Sequence, residues 1–107
     1  MTDVVMLIAY VRPTRRAMVA RALRALGFTG WTESEVVGHG RAANGHAVPH
    51  TRFEVLVGKE RATECANTVI DAAYTGEDGD GFVSMLPVLS VERISDRSTG
   101  RTSLPEV

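Results

Sequence analysis

The chain has 107 residues, 44% of them apolar and 23% charged, with a formal net charge of −1. This length supports one domain with one modest core, and the apolar share excludes a disordered chain. The near-neutral balance argues against a nucleic-acid-binding domain, which carries a basic surplus.

Val4–Val11 opens the chain as an apolar, β-rich run. It is far shorter than the roughly 20 residues a membrane-spanning helix needs. No charged segment followed by an apolar stretch and a cleavage site precedes it. The expectation is a cytoplasmic protein, neither exported nor membrane-embedded. Pro13 and Thr14 then start a helix, since proline is tolerated in a first turn. Met18, Val19, Ala22, Leu23 and Leu26 recur at helical spacing, and Gly27 stops it. Residues 31–37 read as a strand, 38–51 show no periodicity, and 52–57 alternate with Phe53, Val55 and Val57 on one face. A second amphipathic helix covers 60–74, with Ala62, Ala66, Val69, Ile70 and Ala73 as its stripe. The single cysteine, Cys65, falls in this helix and reads as a buried small hydrophobe. Residues 82–85 and 88–94 are β-like, with Pro87 marking an edge or bend. The polar tail, 96–107, is expected to be flexible.

The order is β-α-β-β-α-β, an α+β, ferredoxin-like subunit with an antiparallel sheet. Two helices cover one face of such a sheet. Yet Val4, Met6 and Ile8 make one face of the first strand apolar, and Val5, Leu7, Ala9 and Val11 the other. A sheet wet on one side alternates instead. The second face needs cover, which predicts a homo-oligomer, with sheets facing inward around a three-fold axis burying the most.

Two glycine-rich segments carry the candidate chemistry. The first, "GHGRAANGHAVPHT" (38–51), holds all three histidines, His39, His46 and His50. It is long for a hairpin connection and is expected to be variable without a ligand or partner. A metal reading of the histidines competes with that of a solvated loop, but their spacing fits no closed zinc pattern. Gly38 and Gly40 let the backbone approach a ligand, and Arg41 offers donors to a phosphate or carboxylate. The second segment, "TGEDGDG" (75–81), has the glycines of an anion nest. Its acids repel a free phosphate, so Asp80 is read as bonding the loop's own backbone or a ribose. Calcium is the competing reading, but the alternating acids and terminal Glu of an EF-hand are missing. No nucleophile–base pair stands out, so an enzyme is not expected.

Together these pieces resemble the P-II signal transduction family over almost the whole chain. "ESEVVGHGR" (33–41) is similar to the family's entry into its T-loop. "TGEDGDGFVSMLPV" (75–88) is similar to the signature TGxxGDGKIFVxPV, the B-loop, and "VERIS" (91–95) to the RIR strand and C-loop. The resemblance implies a non-enzymatic homotrimer that binds adenine nucleotides in clefts between subunits. It would control a membrane transporter or an enzyme through the T-loop, here 38–51. It implies that Thr32 and the backbone near Val57 and Gly58 hold the adenine, and that Gly38, His39, Gly40 and Arg41 line the cleft. Gly79, Asp80 and Gly81 would take the phosphate side, with Arg93 reaching in from the next subunit. Departures are Phe82 for a Lys, Ser95 for the second Arg of RIR, Ala42 for a Gln that helps hold magnesium and 2-oxoglutarate, and Arg52 for a Lys. The T-loop is also shorter and lacks the modified tyrosine. With two phosphate-binding cations gone, AMP, ADP or cyclic AMP is expected to bind at least as well as ATP, unless Arg97 restores a cation. The departures point to the divergent P-II-like branch, some of whose members accompany inorganic-carbon uptake and respond to these nucleotides or to bicarbonate. A metal-sensing trimer of similar fold, using the loop histidines, and a nitrogen-regulatory P-II are the alternatives.

Overall fold

The computed structural model describes residues 2–41 and 44–105. Ala42, the departure tied to magnesium and 2-oxoglutarate, lies outside the described residues, as do 106 and 107. The elements are β1 (Val4–Val11), α1 (Arg16–Ala25), β2 (Thr32–His39), β3 (Ala47–Gly58), α2 (Ala62–Ala73) and β4 (Gly81–Pro87). The four strands form one antiparallel sheet in the order β2-β3-β1-β4, with both helices on one face. This is the ferredoxin-like plan expected from the sequence.

The helices form where the apolar stripes are. Short 3-10 turns at Pro13–Arg15 and Lys59–Arg61 lead into them. α1 buries Val19, Ala20 and Leu23, and α2 buries Ala62, Cys65, Ala66, Val69 and Ala73. They meet Leu7, Ala9 and Val11 of β1 and Phe53, Val55 and Val57 of β3, with Phe28 closing the end. Burying each large side chain contributes roughly 1.5–3 kcal/mol. Met18 and Ile70, read as part of the stripes, are 43% and 46% exposed at their margins.

On the other face, pairing aligns rows across the sheet. One row is Thr32, Glu54, Ile8 and Ser84; the next is Ser34, Arg52, Tyr10 and Phe82. A third row is Leu56, Met6 and Leu86. The face is apolar over β1 and β4. Toward β2 it carries the ion pair of Arg52 with Glu54, at 2.7 Å, with Arg52 also lying over the Tyr10 ring. Met6, Ile8 and Leu56 stay partly exposed and Leu86 is 44% exposed, so no helix covers this side.

Three expectations change. Residues 38–51 are not one long loop: β2 runs to His39 and β3 starts at Ala47, so the ladder continues to the pair His39 and Ala47 and only 40–46 connect the strands. The distal ladder faces no core. It therefore carries no hydrophobic alternation, although its register continues pair by pair to His39 and Ala47. Residues 88–94 are not a strand. The ladder ends at the pair of Val5 and Pro87, with the Val88 N–H still donating to the Val4 carbonyl at 3.2 Å, and past that point the strand-type pairing among the described residues is an isolated bridge between Glu92 and Thr99. The tail, expected to be flexible, folds back instead: Ser103 and Leu104 are buried, and Leu104 is 1% exposed. A Cβ at Gly30 would lie 2.8 Å from Pro105 Cγ, so the absence of a side chain there admits the tail.

Candidate functional site

The loop between α2 and β4 is built around one carboxylate. α2 ends at Ala73, and Tyr74 turns to an extended conformation. Asp80 then accepts from the N–H groups of Thr75 and Gly76, at 2.8 and 3.0 Å, and from the Thr75 hydroxyl. From the end of the neighbouring strand β1, Arg12 Nε donates to Asp80 at 2.9 Å, and its NH2 group donates to the carbonyl of Asp78 at 2.7 Å. The Thr75 bonds, followed by the Arg12 guanidinium, hold the Asp80 carboxyl well below the usual carboxylate range. Gly76, Gly79 and Gly81 all have positive φ. At Gly81 the reason is steric as well, since a Cβ would lie 1.7 Å from the carbonyl oxygen of Tyr10. Among the described residues nothing accepts from the N–H of Gly79 or Asp80; Gly79 is exposed and Asp80 half-buried.

The hairpin base leans on this loop. Arg41 NH2 lies 3.6 Å from Asp78 Oδ2, with both side chains exposed. His50 Nε2 faces the carbonyl of Gly79 at 3.4 Å and its Nδ1 that of Val48 at 3.3 Å. A Cβ at Gly38 would sit 3.1 Å from that Nδ1, so Gly38 makes room for the ring. Gly38, through His50, and Arg41, through Asp78, thus stand against the loop that holds Gly79, Asp80 and Gly81. His39 instead faces the carbonyl of Gly45 at 3.2 Å, and His46 is exposed. Among the described residues no three His, Cys, Asp or Glu side chains gather as metal ligands.

The remaining expected residues divide. Thr32 begins β2, exposed, and pairs with Glu54. Val57 is fully buried and pairs with Val5, while Gly58 pairs with Val4. Strand alternation puts Glu54 and Leu56, not Val57, on the face of Thr32. Phe82 is 78% exposed and, with Tyr10, Ile70, Tyr74 and Asp80, lines a shallow concavity of about 90 Å³. A larger open cleft, of about 540 Å³, lies beside Asp3, Glu92 and Arg101 and touches none of the expected residues. Arg93 donates to Asp96 and to three carbonyls of its own tail. Arg97 projects into solvent with an 82% exposed side chain. No hydrogen bond or ion pair among the described residues joins either arginine to 75–81.

Arg12, Glu54 and Leu56 escaped the sequence reading. The signal for Arg12 was topological. The β-α-β-β-α-β order places the end of β1 beside the start of β4, so a charge just after Val11 must stand next to the 75–81 loop.

A family model described as "Nitrogen regulatory protein P-II" matches residues 4–98. The chain is 35% identical over 105 residues to the nitrogen regulatory protein P-II homolog of Arabidopsis thaliana, covering 86% of this chain and 53% of that protein. It therefore spans about half the length of that relative. It is 30% identical to nitrogen regulatory protein P-II 2 of Methanothermobacter thermautotrophicus, covering 92% of this chain and 95% of that one. It is 33% identical to nitrogen regulatory protein P-II 1 of Escherichia coli strain K12, covering 80% of this chain and 87% of that one. Among solved structures it is similar to Arabidopsis thaliana PII bound to citrate, with a TM-score of 0.86 and 34% identity, covering 95% of this chain and 92% of that one.

Proposed function

The chain belongs to the nitrogen regulatory protein P-II family, and on that premise we propose that it is a non-enzymatic, cytoplasmic regulator that binds an adenine nucleotide. The nucleotide sits between the subunits of a homotrimer, whose contacts cover the open face of Met6, Ile8, Leu56 and Leu86. The hairpin connection at 40–46 docks on a membrane transporter or an enzyme.

One observation carries the reading: the 75–81 loop is preformed by Asp80 and leaves the Gly79 and Asp80 amides without an acceptor among the described residues, in a loop whose Asp78 meets Arg41. Unpaired amides near an arginine attract phosphate oxygens. The acid is turned inward to Thr75, Gly76 and Arg12, so the repulsion expected from its charge is reduced. Thr32, with Glu54 and Leu56 on the same face, takes the base. Phe82 and Ser95 supply no cation to a terminal phosphate. AMP, ADP or cyclic AMP therefore binds at least as well as ATP, and bicarbonate is a candidate for the space a terminal phosphate would fill near Arg41.

Calorimetric titration of the four nucleotides, with sedimentation of the same sample, tests this. The expected result is a trimer with comparable ADP and AMP affinities. ATP binding more than about tenfold tighter, worth about 1.4 kcal/mol, would overturn the ligand preference, and a monomer would overturn the assembly.

A further inference from the structure

A trans peptide unit is planar, so its C=O and its N–H point in opposite directions. Holding one aims the other. Two successive units of the 75–81 loop are held at the carbonyl. Arg12 donates through NH2 to the Asp78 carbonyl at 2.7 Å. This turns the N–H of the same unit, that of Gly79, away from Arg12. His50 Nε2 faces the Gly79 carbonyl at 3.4 Å. This turns the Asp80 N–H away from His50. Among the described residues neither N–H has an acceptor.

The two side chains reach the loop from the same side. Val11 of β1 pairs with Thr51 of β3, and Arg12 and His50 are the next residues along those two strands. Both carbonyls are therefore drawn toward the strand ends, and both amides face the other way. Gly79, the residue between the two units, has a φ of +95°. A reversal of hand at such a position is what makes successive N–H groups converge. Arg12 does more than hold a carbonyl. Its Nε donates to the Asp80 carboxylate at 2.9 Å. The guanidinium is a rigid fork, so one plane sets the acid inward and the Gly79 amide outward. His50 donates to Gly79 only with its hydrogen on Nε2, and the ring fits because Gly38 carries no side chain, since a Cβ there would lie 3.1 Å from Nδ1.

We propose that Arg12 and His50 are positioning residues for an anion: by holding the Asp78 and Gly79 carbonyls they turn the Gly79 and Asp80 amides outward as a pair of donors to phosphate oxygens. The assignment rests on the nucleotide reading above and deepens it. Neither side chain touches the ligand; each aims a backbone group that does.

The test titrates adenosine, inorganic phosphate and ADP into the full-length wild type, Arg12→Lys, His50→Ala and His50→Gln. It follows the backbone amide resonances of Gly79 and Asp80 and records each melting temperature without ligand. In the wild type both resonances are expected to move with ADP and with phosphate and to stay in place with adenosine. His50→Ala releases the Gly79 carbonyl and is expected to weaken ADP about fivefold, the worth of one neutral hydrogen bond. His50→Gln, whose amide nitrogen donates from nearly the same place, is expected to recover most of that loss. Arg12→Lys keeps a charge for Asp80 but lacks the fork that reaches Asp78 as well, and is expected to weaken ADP about tenfold. Adenosine binding is expected to be unchanged in all three. A residue that only stabilised the fold would lower the melting temperature and weaken adenosine and ADP by the same factor, and that result would overturn the assignment. It is likewise overturned, and the nucleotide reading stands, if ADP binds without moving either resonance or if His50→Ala and Arg12→Lys bind ADP like the wild type. Should Arg12→Lys fail to fold, the two His50 variants decide. If the wild type binds no ADP, the nucleotide reading falls. The positioning then survives only if phosphate still moves both resonances in the wild type and not in His50→Ala; otherwise both fall.

Discussion

The 75–81 loop and the hairpin connection at 40–46 have much in common. Both are rich in glycine, both are charged, and they touch through Arg41 and Asp78. They differ in one respect. The first contains a side chain that gathers its own backbone, since Asp80 accepts from two main-chain amides, a hydroxyl and Arg12. The second has local bonds, from Asn44 N–H to the Arg41 carbonyl and from Gly45 N–H to that of Gly40, and among its described residues it reaches the other loop through an exposed ion pair. Glycine content alone therefore does not say whether a loop is built. What decides is whether an acid or a base stands where several backbone groups converge. The C-terminal turn supports this with reversed signs, since Arg93 gathers carbonyls there as Asp80 gathers amides.

The sharpest break of this contrast is steric. Gly81→Ala would drive a Cβ to 1.7 Å from the Tyr10 carbonyl oxygen, at a φ of +107°. Backbone cannot yield as a flexible side chain does, so the expected loss is on the order of 3 kcal/mol or more in a urea unfolding curve. A loss under about 1 kcal/mol would mean that the loop is not locked against β1.

Next comes the acid itself. The folded Asp80 carboxyl lies below its ordinary value of 3.8. Its contribution is therefore complete above that value and is lost as pH falls toward the lower folded one. Asp80→Asn is expected to unfold at lower urea than the wild type at pH 6, with the gap narrowing toward pH 3. Asp96 is also held low, by Ser98 and Arg93, but titrates in both proteins and cancels. A gap that does not change with pH would show that the charge is not what gathers the loop.

The counterpart in the hairpin connection is milder. Gly45 also has a positive φ, +79°, but a Cβ there meets nothing within 4 Å among the described residues. Gly45→Ala is expected to cost about 1–2 kcal/mol, from backbone conformation alone. A loss as large as that of Gly81→Ala would erase the distinction between the two loops.

Much of the fold was legible because burial writes periodicity. Val19 and Leu23 mark one helix, Val69 and Ala73 the other, and Phe53, Val55 and Val57 the central strand. The far end of the outer hairpin was not legible, since Gly38, His39, Ala47 and Val48 pair without a core behind them. The glycine pattern pointed to the 75–81 loop, and Asp80 was expected to bond its own backbone. What holds that loop from outside was hidden, because Arg12 lies 68 residues away in sequence. The tail was misread for a similar reason. Nothing local in "RSTGRTSL" announces that Arg93 will collect its carbonyls or that Leu104 will be buried. Contacts from a side chain to distant backbone leave no period to read.

The smallest expected effect on stability is at Arg41. Its guanidinium is 91% exposed and reaches Asp78 only at 3.6 Å, itself 73% exposed. Exposed pairs of this kind contribute little, because water and salt screen them and ordering two long side chains opposes them. Arg41→Ala is therefore expected to leave the unfolding free energy within about 0.5 kcal/mol of the wild type. Binding is another matter. On the proposed reading Arg41 stands beside the outward amides of Gly79 and Asp80, and a phosphate there would accept from it. Losing one charge-assisted bond weakens ADP about tenfold, and the loss should shrink as salt is raised. Equal stability with weaker, salt-sensitive ADP binding marks Arg41 as a ligand residue carried on the hairpin. Equal stability with unchanged ADP binding would confine the nucleotide to the loop that Asp80 builds.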